Sequence, residues 1–191
     1  MMRIISGNFK GKKLFLPNDK NTRPLKDLVK ESIFNLISHS KKIDLDIQNS
    51  TVLDLFSGTG SFGIECLSRK AKKVIFFENY KDVIKILEKN LNIIKNKNSY
   101  LIFKEDCFKF LNSENMIDSC FDIVFIDPPY KETKINEILE IIYKRKILSP
   151  KGVIIVHRHK KDNLELYNKI NFFEKRIYGN SKIFFGNIKL F

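Results

Sequence analysis

The amino-acid sequence predicts an α/β fold built around a mostly parallel sheet, and three observations lead to this class. From Thr51 onward, short runs rich in β-branched and aromatic residues alternate with stretches whose apolar residues recur at helical spacing. Such alternation is typical of crossover units in which helices cover both faces of a sheet. A length of 191 residues, with 43% hydrophobic and 30% charged residues, suits one globular domain. The last two strand-like runs are separated by Gly179 and Asn180, which predicts an antiparallel hairpin at the end of the sheet.

The first element is a basic appendage, residues 1–40, which we expect to precede the main domain, residues 41–191. The segments RIIS and KKLFLP are strand-like and flank a glycine-containing loop, residues 7–11, which predicts a β-hairpin. Pro24 then begins a helical pattern, because proline favours a first helical turn. The apolar residues of that helix, which we expect to pack on the main domain, are Leu25, Leu28, Val29, Ile33, Leu36 and Ile37.

In the main domain, each strand-like run is followed by a helical one. The predicted pairs are TVLDLF with SFGIECLSRK, KVIFF with KDVIKILEKNLNII, YLIFK with CFKFL, and FDIVFI with KINEILEIIYKR, followed by the strand GVIIVH. A weak helix, residues 162–170, precedes the final strands NFFEKRIY and SKIFFGNIKLF. A mostly parallel seven-stranded sheet closed by a C-terminal antiparallel hairpin is the Rossmann-like arrangement of class I S-adenosylmethionine-dependent methyltransferases, which this order resembles.

Charge and cysteine content narrow the class of function. Lysine and arginine number 35 against 22 acidic residues, a formal net charge of +13, which favours binding to polyanions such as nucleic acid. The alternative is that many of these lysines are simply solvated. Cys66, Cys107 and Cys120 are far apart, which argues against disulfides and zinc and favours a reducing cytoplasm. The sequence has no signal peptide and no membrane-spanning run, so we expect no membrane partner.

The first candidate site lies where the first main-domain strand turns into a helix, in the segment DLFSGTGSFG (54–63). Its glycines fit the G-x-G-x-x-G pattern, and Glu78 ends the next strand, where an acid holds ribose hydroxyls. The carboxylate of Asp54 inside the strand counts against the pyrophosphate of NAD and suits a positively charged sulfonium. We therefore predict S-adenosylmethionine as the cofactor, with Asp106 accepting from its adenine amino group and Glu105 as the alternative. The predicted cofactor-binding residues are Asp54, Phe56, Ser57, Gly58, Thr59, Gly60, Glu78, Asp106 and Cys107.

The second candidate site is the tetrapeptide Asp127-Pro128-Pro129-Tyr130, which follows the apolar strand FDIVFI. An amino nitrogen on a base delocalises its lone pair into the ring, and acceptors on its hydrogens help to localise that pair for attack on a methyl group. Asp127 supplies one acceptor and the carbonyl of Pro128 another, in a loop that two prolines keep rigid. Tyr130 is placed to stack on an extruded base. We predict these four residues as the catalytic site, with no metal.

With these motifs, the sequence resembles the RsmD-type 16S ribosomal RNA guanine-N2 methyltransferases over essentially the whole chain. The stretches that carry the resemblance are RIISGNFKG (3–11), TRPLKDLVKESIFN (22–35) and the two candidate sites. The first two discriminate, because DNA amino-methyltransferases share the glycine and D-P-P-Y motifs. The resemblance implies methylation of guanine N2 in 16S ribosomal RNA, as naked RNA or in a small-subunit assembly particle. We also expect a monomeric, cytoplasmic enzyme.

The resemblance extends to RNA docking, with some departures. The family usually has threonine at Leu25 and arginine at Leu28, and often glutamate where the fifth strand ends in His157. We interpret His157 as polar surface and assign it no catalytic role. The residues expected to contact the phosphate backbone are Arg3, Lys10, Lys12, Lys13, Arg23 and Lys26.

Three other functions fit parts of the sequence. A DNA adenine or cytosine amino-methyltransferase shares the D-P-P-Y loop but needs a target-recognition domain, for which 191 residues leave no room. A non-catalytic RNA-binding assembly factor would keep the fold without turnover. An NAD oxidoreductase would use the glycine loop alone. Cofactor titration separates the last two functions from a methyltransferase.

Overall fold

The computed structural model describes residues 2–17, 25–113, 120–163 and 165–188. Its strands are β1 (Met2–Arg3), β2 (Lys13–Leu14), β3 (Thr51–Leu55), β4 (Lys73–Phe77), β5 (Tyr100–Phe103), β6 (Phe121–Ile126), β7 (Leu148–His159), β8 (Asn171–Tyr178) and β9 (Ser181–Asn187). Its α-helices are α1 (Asp27–His39), α2 (Ser61–Ser68), α3 (Lys81–Leu91), α4 (Cys107–Asn112) and α5 (Ile135–Lys144). Strands β1 and β2 pair as a separate N-terminal hairpin.

The other seven strands form one sheet in the order β5-β4-β3-β6-β7-β9-β8. The pairings from β5 to β7 are all parallel, and β9 pairs antiparallel with both β7 and β8. This topology confirms the predicted class I methyltransferase fold with its C-terminal antiparallel hairpin. The order of strands reverses between β3 and β6, which is where open α/β sheets bind their ligands.

Successive residues of the central strands pack on opposite faces of the sheet, as the alternation of side chains along a strand requires. In β3, Val52 belongs to one apolar cluster with Phe62 of α2, whereas Leu53 belongs to a second cluster with Ile138 of α5. The first cluster also takes in Met2, Leu14 and other apolar residues of the N-terminal segment. The hairpin and α1 therefore share the hydrophobic core of the sheet.

A buried polar network also fixes the N-terminal segment to α2. Both carboxylate oxygens of Glu65, which is 0% exposed, accept backbone N–H groups, from Ile5 at 2.7 Å and from Ser6 at 2.9 Å. The ammonium group of Lys30 on α1 lies 3.9 Å from the same carboxylate and donates to the Arg3 carbonyl at 2.7 Å. Burial lowers the pKa of Lys30, although the charges of Glu65 and Asp27 oppose this effect.

Several details differ from the expectations. Leu28 is 66% exposed and does not join the apolar face of α1, because the helical repeat places it on the side opposite to the buried Ile33 and Ile37. The described residues of 162–170 contain no helix, so the predicted weak helix is wrong there. Strand β7 extends beyond the predicted GVIIVH at both ends. Pro24 lies outside the described residues. In the part of the chain that is described, no helix has the length and apolarity needed to cross a bilayer.

Candidate active site

The two candidate sites lie on neighbouring strands at the same edge of the sheet. Strand β3, which carries Asp54, pairs in parallel with β6, which leads into Asp127. The backbone N–H of Asp127 donates to the carbonyl of Leu55 at 3.4 Å. Because the strand order reverses between β3 and β6, the glycine turn and the D-P-P-Y loop border the crevice at the carboxyl ends of these strands. We call this crevice the cofactor cleft.

Asp54 is a buried carboxylate whose hydrogen bonding is incomplete. Its side chain is 1% exposed, and Oδ2 accepts from the backbone N–H of Gly63 at 3.0 Å. Oδ1 is buried without a hydrogen-bond partner among the described residues. Burial raises the pKa of Asp54 well above its usual value, and the charges of Asp127 and Glu78 raise it further, while the Gly63 hydrogen bond opposes the shift. A buried, unsatisfied carboxylate near two other acids is complementary to a cationic ligand.

The glycine turn brings backbone N–H groups next to Glu78. Gly58 and Gly60 have φ angles of 56° and 81°. This left-handed region is unfavourable for residues other than glycine. A Cβ on Gly60 would also lie 2.4 Å from the Leu87 side chain. Glu78 accepts from the N–H of Gly58 at 2.8 Å and also from the two N–H groups that follow it in the chain. Its carboxylate is therefore held at the rim of the cleft.

Three other predicted cofactor residues build the turn itself. Phe56 has a positive φ of 59°. The hydroxyl of Ser57 donates to the carbonyl of Asp54 at 2.7 Å. Thr59 is 3% exposed, and its carbonyl accepts from the side-chain amide of Asn90 at 2.9 Å. The Ser57 hydroxyl and the Thr59 carbonyl thus help to hold the conformation that presents the glycines.

The third acid, Asp106, caps helix α4. Its Oδ1 accepts from the N–H of Phe108 at 2.8 Å, which is the usual hydrogen bond of an N-cap residue. The alternative residue, Glu105, is exposed. Burial raises the pKa of the neighbouring Cys107 thiol to about 12, with a smaller contribution from the charge of Asp106. Cys107 is therefore an uncharged, buried neighbour of Asp106.

The D-P-P-Y loop is held in place by a buried arginine. Arg158, which is 5% exposed, donates to the carbonyls of Pro129 at 3.3 Å, Tyr130 at 3.1 Å and Glu132 at 3.1 Å. Its Nε donates to Asp162. None of these carbonyls is that of Pro128, the predicted second acceptor, whose side chain is buried. The guanidinium thus fixes the backbone of the loop from behind the cleft.

The structure contradicts the interpretation of His157 as polar surface. The residue is 2% exposed, and its Nδ1 lies 2.7 Å from Oδ1 of Asp127. Strands β6 and β7 pair with Ile126 opposite Val156, so Asp127 and His157, the next residue along each strand, lie side by side where β6 ends. The sequence did contain a signal, because polar residues directly follow apolar runs in both strands.

Tyr130 borders a cavity of about 540 Å³ on the outer side of the loop. Its ring meets that of His159 edge-on, with 4.9 Å between centroids. Arg158, Lys161 and Asp162 also line the cavity. The aromatic residue of the tetrapeptide therefore faces a space that is lined by polar groups and open to a large ligand.

The predicted RNA contacts lie mainly on the hairpin. The residues in exposed positions are Arg3, Lys10, Lys12, Lys13 and Lys26, whereas Arg23 lies outside the described residues. The sequence reasoning missed Phe15, which is 50% exposed and lies with its ring 3.7 Å from the ammonium of Lys89. An exposed aromatic ring beside a cation is a common platform for a nucleic-acid base.

Asn90 on α3 connects this hairpin to the glycine turn. Its side-chain Oδ1 accepts from the N–H of Phe15 at 2.7 Å, and its Nδ2 donates to the carbonyl of the same residue at 3.1 Å. The same Nδ2 also donates to the carbonyl of Thr59. One buried side chain thus joins the proposed docking surface to the cofactor cleft.

The sequence is similar to a protein family and to several bacterial methyltransferases. A family model described as conserved hypothetical protein 95 matches residues 2–187. The chain is 32% identical to the “Putative rRNA methyltransferase YlbH” of Bacillus subtilis, over 93% of this chain and 94% of that protein. It is 35% identical to the ribosomal RNA small subunit methyltransferase D of Haemophilus influenzae, over 83% of this chain and 79% of that protein.

A solved structure is similar to this chain over nearly its whole length. The “putative methylase HI0767” from Haemophilus influenzae superposes with a TM-score of 0.75 at 31% sequence identity. The match covers 98% of this chain and 99% of that structure. The similarity therefore includes the N-terminal hairpin as well as the seven-stranded sheet.

Proposed function

Because the chain belongs to the conserved hypothetical protein 95 family, which is the RsmD family of ribosomal RNA methyltransferases, we propose that it methylates the N2 amino group of a guanine in 16S ribosomal RNA. The methyl donor is S-adenosylmethionine. The observation that carries the proposal is the position of Asp127 beside the cleft that contains Asp54. A carboxylate acceptor for an amino group and a site for a cation lie at adjacent strand ends.

The residues of the cleft fit this cofactor. Asp54, with its unsatisfied buried oxygen, suits the positive charge of the methionine part. Glu78 is placed for the ribose hydroxyls, and Asp106 for the adenine amino group. Gly58 and Gly60 allow close approach of the ligand to the backbone. When bound, the cofactor would supply an electrophilic methyl group on a sulfonium sulfur, and the sulfur–methyl bond that breaks as the new N–C bond forms would leave a neutral thioether.

The D-P-P-Y loop supplies the groups that act on the base. Asp127 accepts a hydrogen bond from the exocyclic amino group and takes up the proton that the nitrogen releases as its lone pair forms the new N–C bond. The Pro128 carbonyl is proposed as the acceptor for the second amino hydrogen. Tyr130 stacks on the base, an interaction worth about 1–3 kcal/mol. This stacking retains a nucleotide extruded from its helix.

The proposed partner is 16S ribosomal RNA, alone or in a small-subunit assembly particle. The net charge of +13 and the exposed basic residues of the hairpin support phosphate binding. We propose residues 1–40 as the docking segment and residues 41–191 as the catalytic domain of a monomeric cytoplasmic enzyme. The shared hydrophobic core fixes the first to the second.

The proposal is tested by methylation with labelled S-adenosylmethionine. The purified chain is incubated with 16S ribosomal RNA, with small-subunit particles lacking the modification, and with DNA duplexes. We expect label in RNA or particles and N2-methylguanosine after nuclease digestion and mass spectrometry. Label in DNA adenine or cytosine would favour the DNA methyltransferase. Absence of both S-adenosylmethionine binding and methyl transfer would favour the assembly factor.

A second prediction concerns the effect of Asp54 on cofactor binding and on the stability of the cofactor-free protein. Asp54→Asn should weaken S-adenosylmethionine binding about 10- to 100-fold, because a charge-assisted interaction worth about 1.5–3 kcal/mol is lost. The same change should raise the Tm of the cofactor-free protein at neutral and alkaline pH. The folded pKa of Asp54 is raised, so its ionisation reduces stability as pH rises from the ordinary aspartate pKa through the folded value. Asparagine cannot ionise and removes that dependence.

Calorimetric titration with the cofactor and thermal unfolding between pH 4 and pH 9 measure the two effects. The matched control is Asp82→Asn, which removes a carboxylate whose side chain is 67% exposed on α3. Equal cofactor affinity in wild type and Asp54→Asn would contradict the proposed role of Asp54.

A further inference from the structure

We infer that His157 is a positioning residue for Asp127. Its ring N–H holds one carboxylate oxygen, so that the other oxygen faces the amino group of the target base. This inference rests on the proposed function for its catalytic consequence, but the hydrogen bond itself is a property of the protein alone. Nothing in the D-P-P-Y motif assigns a role to this histidine, which lies 30 positions later in the chain.

The contact has the geometry of a strong, desolvated hydrogen bond. The distance from Nδ1 to Oδ1 is 2.7 Å, which is short for a bond between nitrogen and oxygen. The histidine side chain is 3% exposed, and that of Asp127 is 18% exposed. Water therefore has little access to the imidazole, whereas part of the Asp127 side chain remains exposed. The carboxylate is held on one side and accessible on the other.

The chemistry of the pair fixes the donor. An ionised carboxylate only accepts hydrogen bonds, so Nδ1 of His157 carries the hydrogen. A neutral imidazole with its proton on Nδ1 orients the carboxylate and leaves its negative charge available. This arrangement suits Asp127, which must accept from an amino group and then receive a proton.

The neighbouring residue on β7 fixes the other end of the loop. Arg158 donates to the carbonyls of Pro129, Tyr130 and Glu132, and so restrains the backbone after Asp127. That restraint leaves the side-chain torsions of Asp127 free to rotate. His157 removes this remaining freedom, because its ring position is set by the pairing of β7 with β6 and β9. Correct orientation of a catalytic group lowers the entropic part of the barrier.

Three substitutions separate orientation from packing. In His157→Asn, the side-chain amide nitrogen takes the position of Nδ1 and can donate to Asp127. In His157→Gln, the amide nitrogen takes the position of Nε2 instead. His157→Leu fills the space with no donor. We expect kcat for methyl transfer to fall about 10- to 100-fold in the glutamine and leucine variants, and to remain within about fivefold of wild type in the asparagine variant.

The readouts exclude a merely structural role. The KM for RNA and the Kd for S-adenosylmethionine should change by less than about threefold in all three variants, since neither ligand contacts His157 in the proposed arrangement. An asparagine variant as slow as the leucine variant would overturn the inference, as would a leucine variant with unchanged kcat. If the leucine variant fails to fold, the comparison of asparagine with glutamine gives the answer.

A second measurement does not depend on turnover. Nitrogen-15 NMR of the ring of His157 in the wild-type protein should show Nδ1 protonated in the range of pH in which Asp127 is ionised. The Asp127→Ala variant should lose that hydrogen bond and shift the Nδ1 resonance. A bare Nδ1 in the wild type overturns the inference even if the enzyme methylates RNA. A protonated Nδ1 that responds to Asp127 supports it even if the substrate proves to be a different nucleic acid.

Discussion

Replacing Asp127 by alanine should reduce kcat for methyl transfer by about 10²- to 10⁴-fold, the usual contribution of a positioned general base. The amino nitrogen then loses both the acceptor that localises its lone pair and the group that receives its proton. The Kd for S-adenosylmethionine should change only a few-fold, because Asp54 and Glu78 remain in place. Single-turnover rates and calorimetric titration measure the two quantities on the same preparations.

Two controls make this result specific. Asp127→Asn keeps the size of the side chain and removes its charge, so we expect nearly the full loss of kcat. Asp82→Ala removes an exposed carboxylate in the first turn of α3, one that has no role in the proposed chemistry, and should leave transfer unchanged. Retention of more than about a tenth of the wild-type rate in Asp127→Ala would exclude a general-base role for this residue.

Substitution of Glu65 should have the largest effect on folding. Glu65→Leu removes the acceptor of the Ile5 and Ser6 N–H groups and of Arg69. It also removes the buried counter-charge of Lys30 and leaves that lysine only its ion pair with Asp27, whose side chain is 30% exposed. Removal of one partner of a buried ion pair typically costs about 3–5 kcal/mol. We therefore expect a loss of that size in the free energy of unfolding, measured with urea.

The pH dependence of the Glu65→Leu variant provides a second check. The pKa of Lys30 is already lowered by burial, and the charge of Glu65 opposes that shift, so its removal lowers the pKa further. A lysine whose folded pKa is lowered reduces stability below that value, and the loss is relieved as pH rises toward the ordinary 10.5. The variant should thus regain part of its stability between neutral pH and about pH 10.

The control for this series is Glu140→Leu. Glu140 forms an ion pair with Lys144 on the exposed side of α5, where both side chains are at least 42% exposed. Such surface pairs contribute little to stability, because water and salt screen the two charges. A Glu65→Leu variant that is no less stable than Glu140→Leu would show that the buried network does not anchor the hairpin.

The sequence was informative about the sheet because its strands are buried on both faces. Runs such as VIFF (74–77) and IVFI (123–126) are continuously apolar, and the structure has strands β4 and β6 over those residues. The position of the cleft could also be predicted, since parallel strands bring their carboxyl ends to one edge. Asp54 and Asp127 are close enough for the charge of one to affect the pKa of the other.

The sequence did not predict where Lys30 and His157 lie, because their positions depend on contacts between segments that are distant in the chain. Leu28 follows Leu25 at helical spacing but is exposed, whereas Lys30 is buried in α1 because a carbonyl and two acids lie within its reach. His157 follows an apolar strand and looks like the start of a surface loop, yet the register of β6 against β7 places it on Asp127. Neither contact can be deduced from the local pattern alone.

The side-chain amide of Asn90 fixes the distance between the N-terminal hairpin and the glycine turn. The amide donates to the carbonyl of Phe15 and accepts from its N–H, as a neighbouring strand would. It also donates to the carbonyl of Thr59 in the turn that borders the cofactor cleft. If the hairpin docks RNA as we propose, this link holds the docked strand at a fixed separation from the glycine turn. We then expect the target nucleotide to be set by its distance from the docked strand.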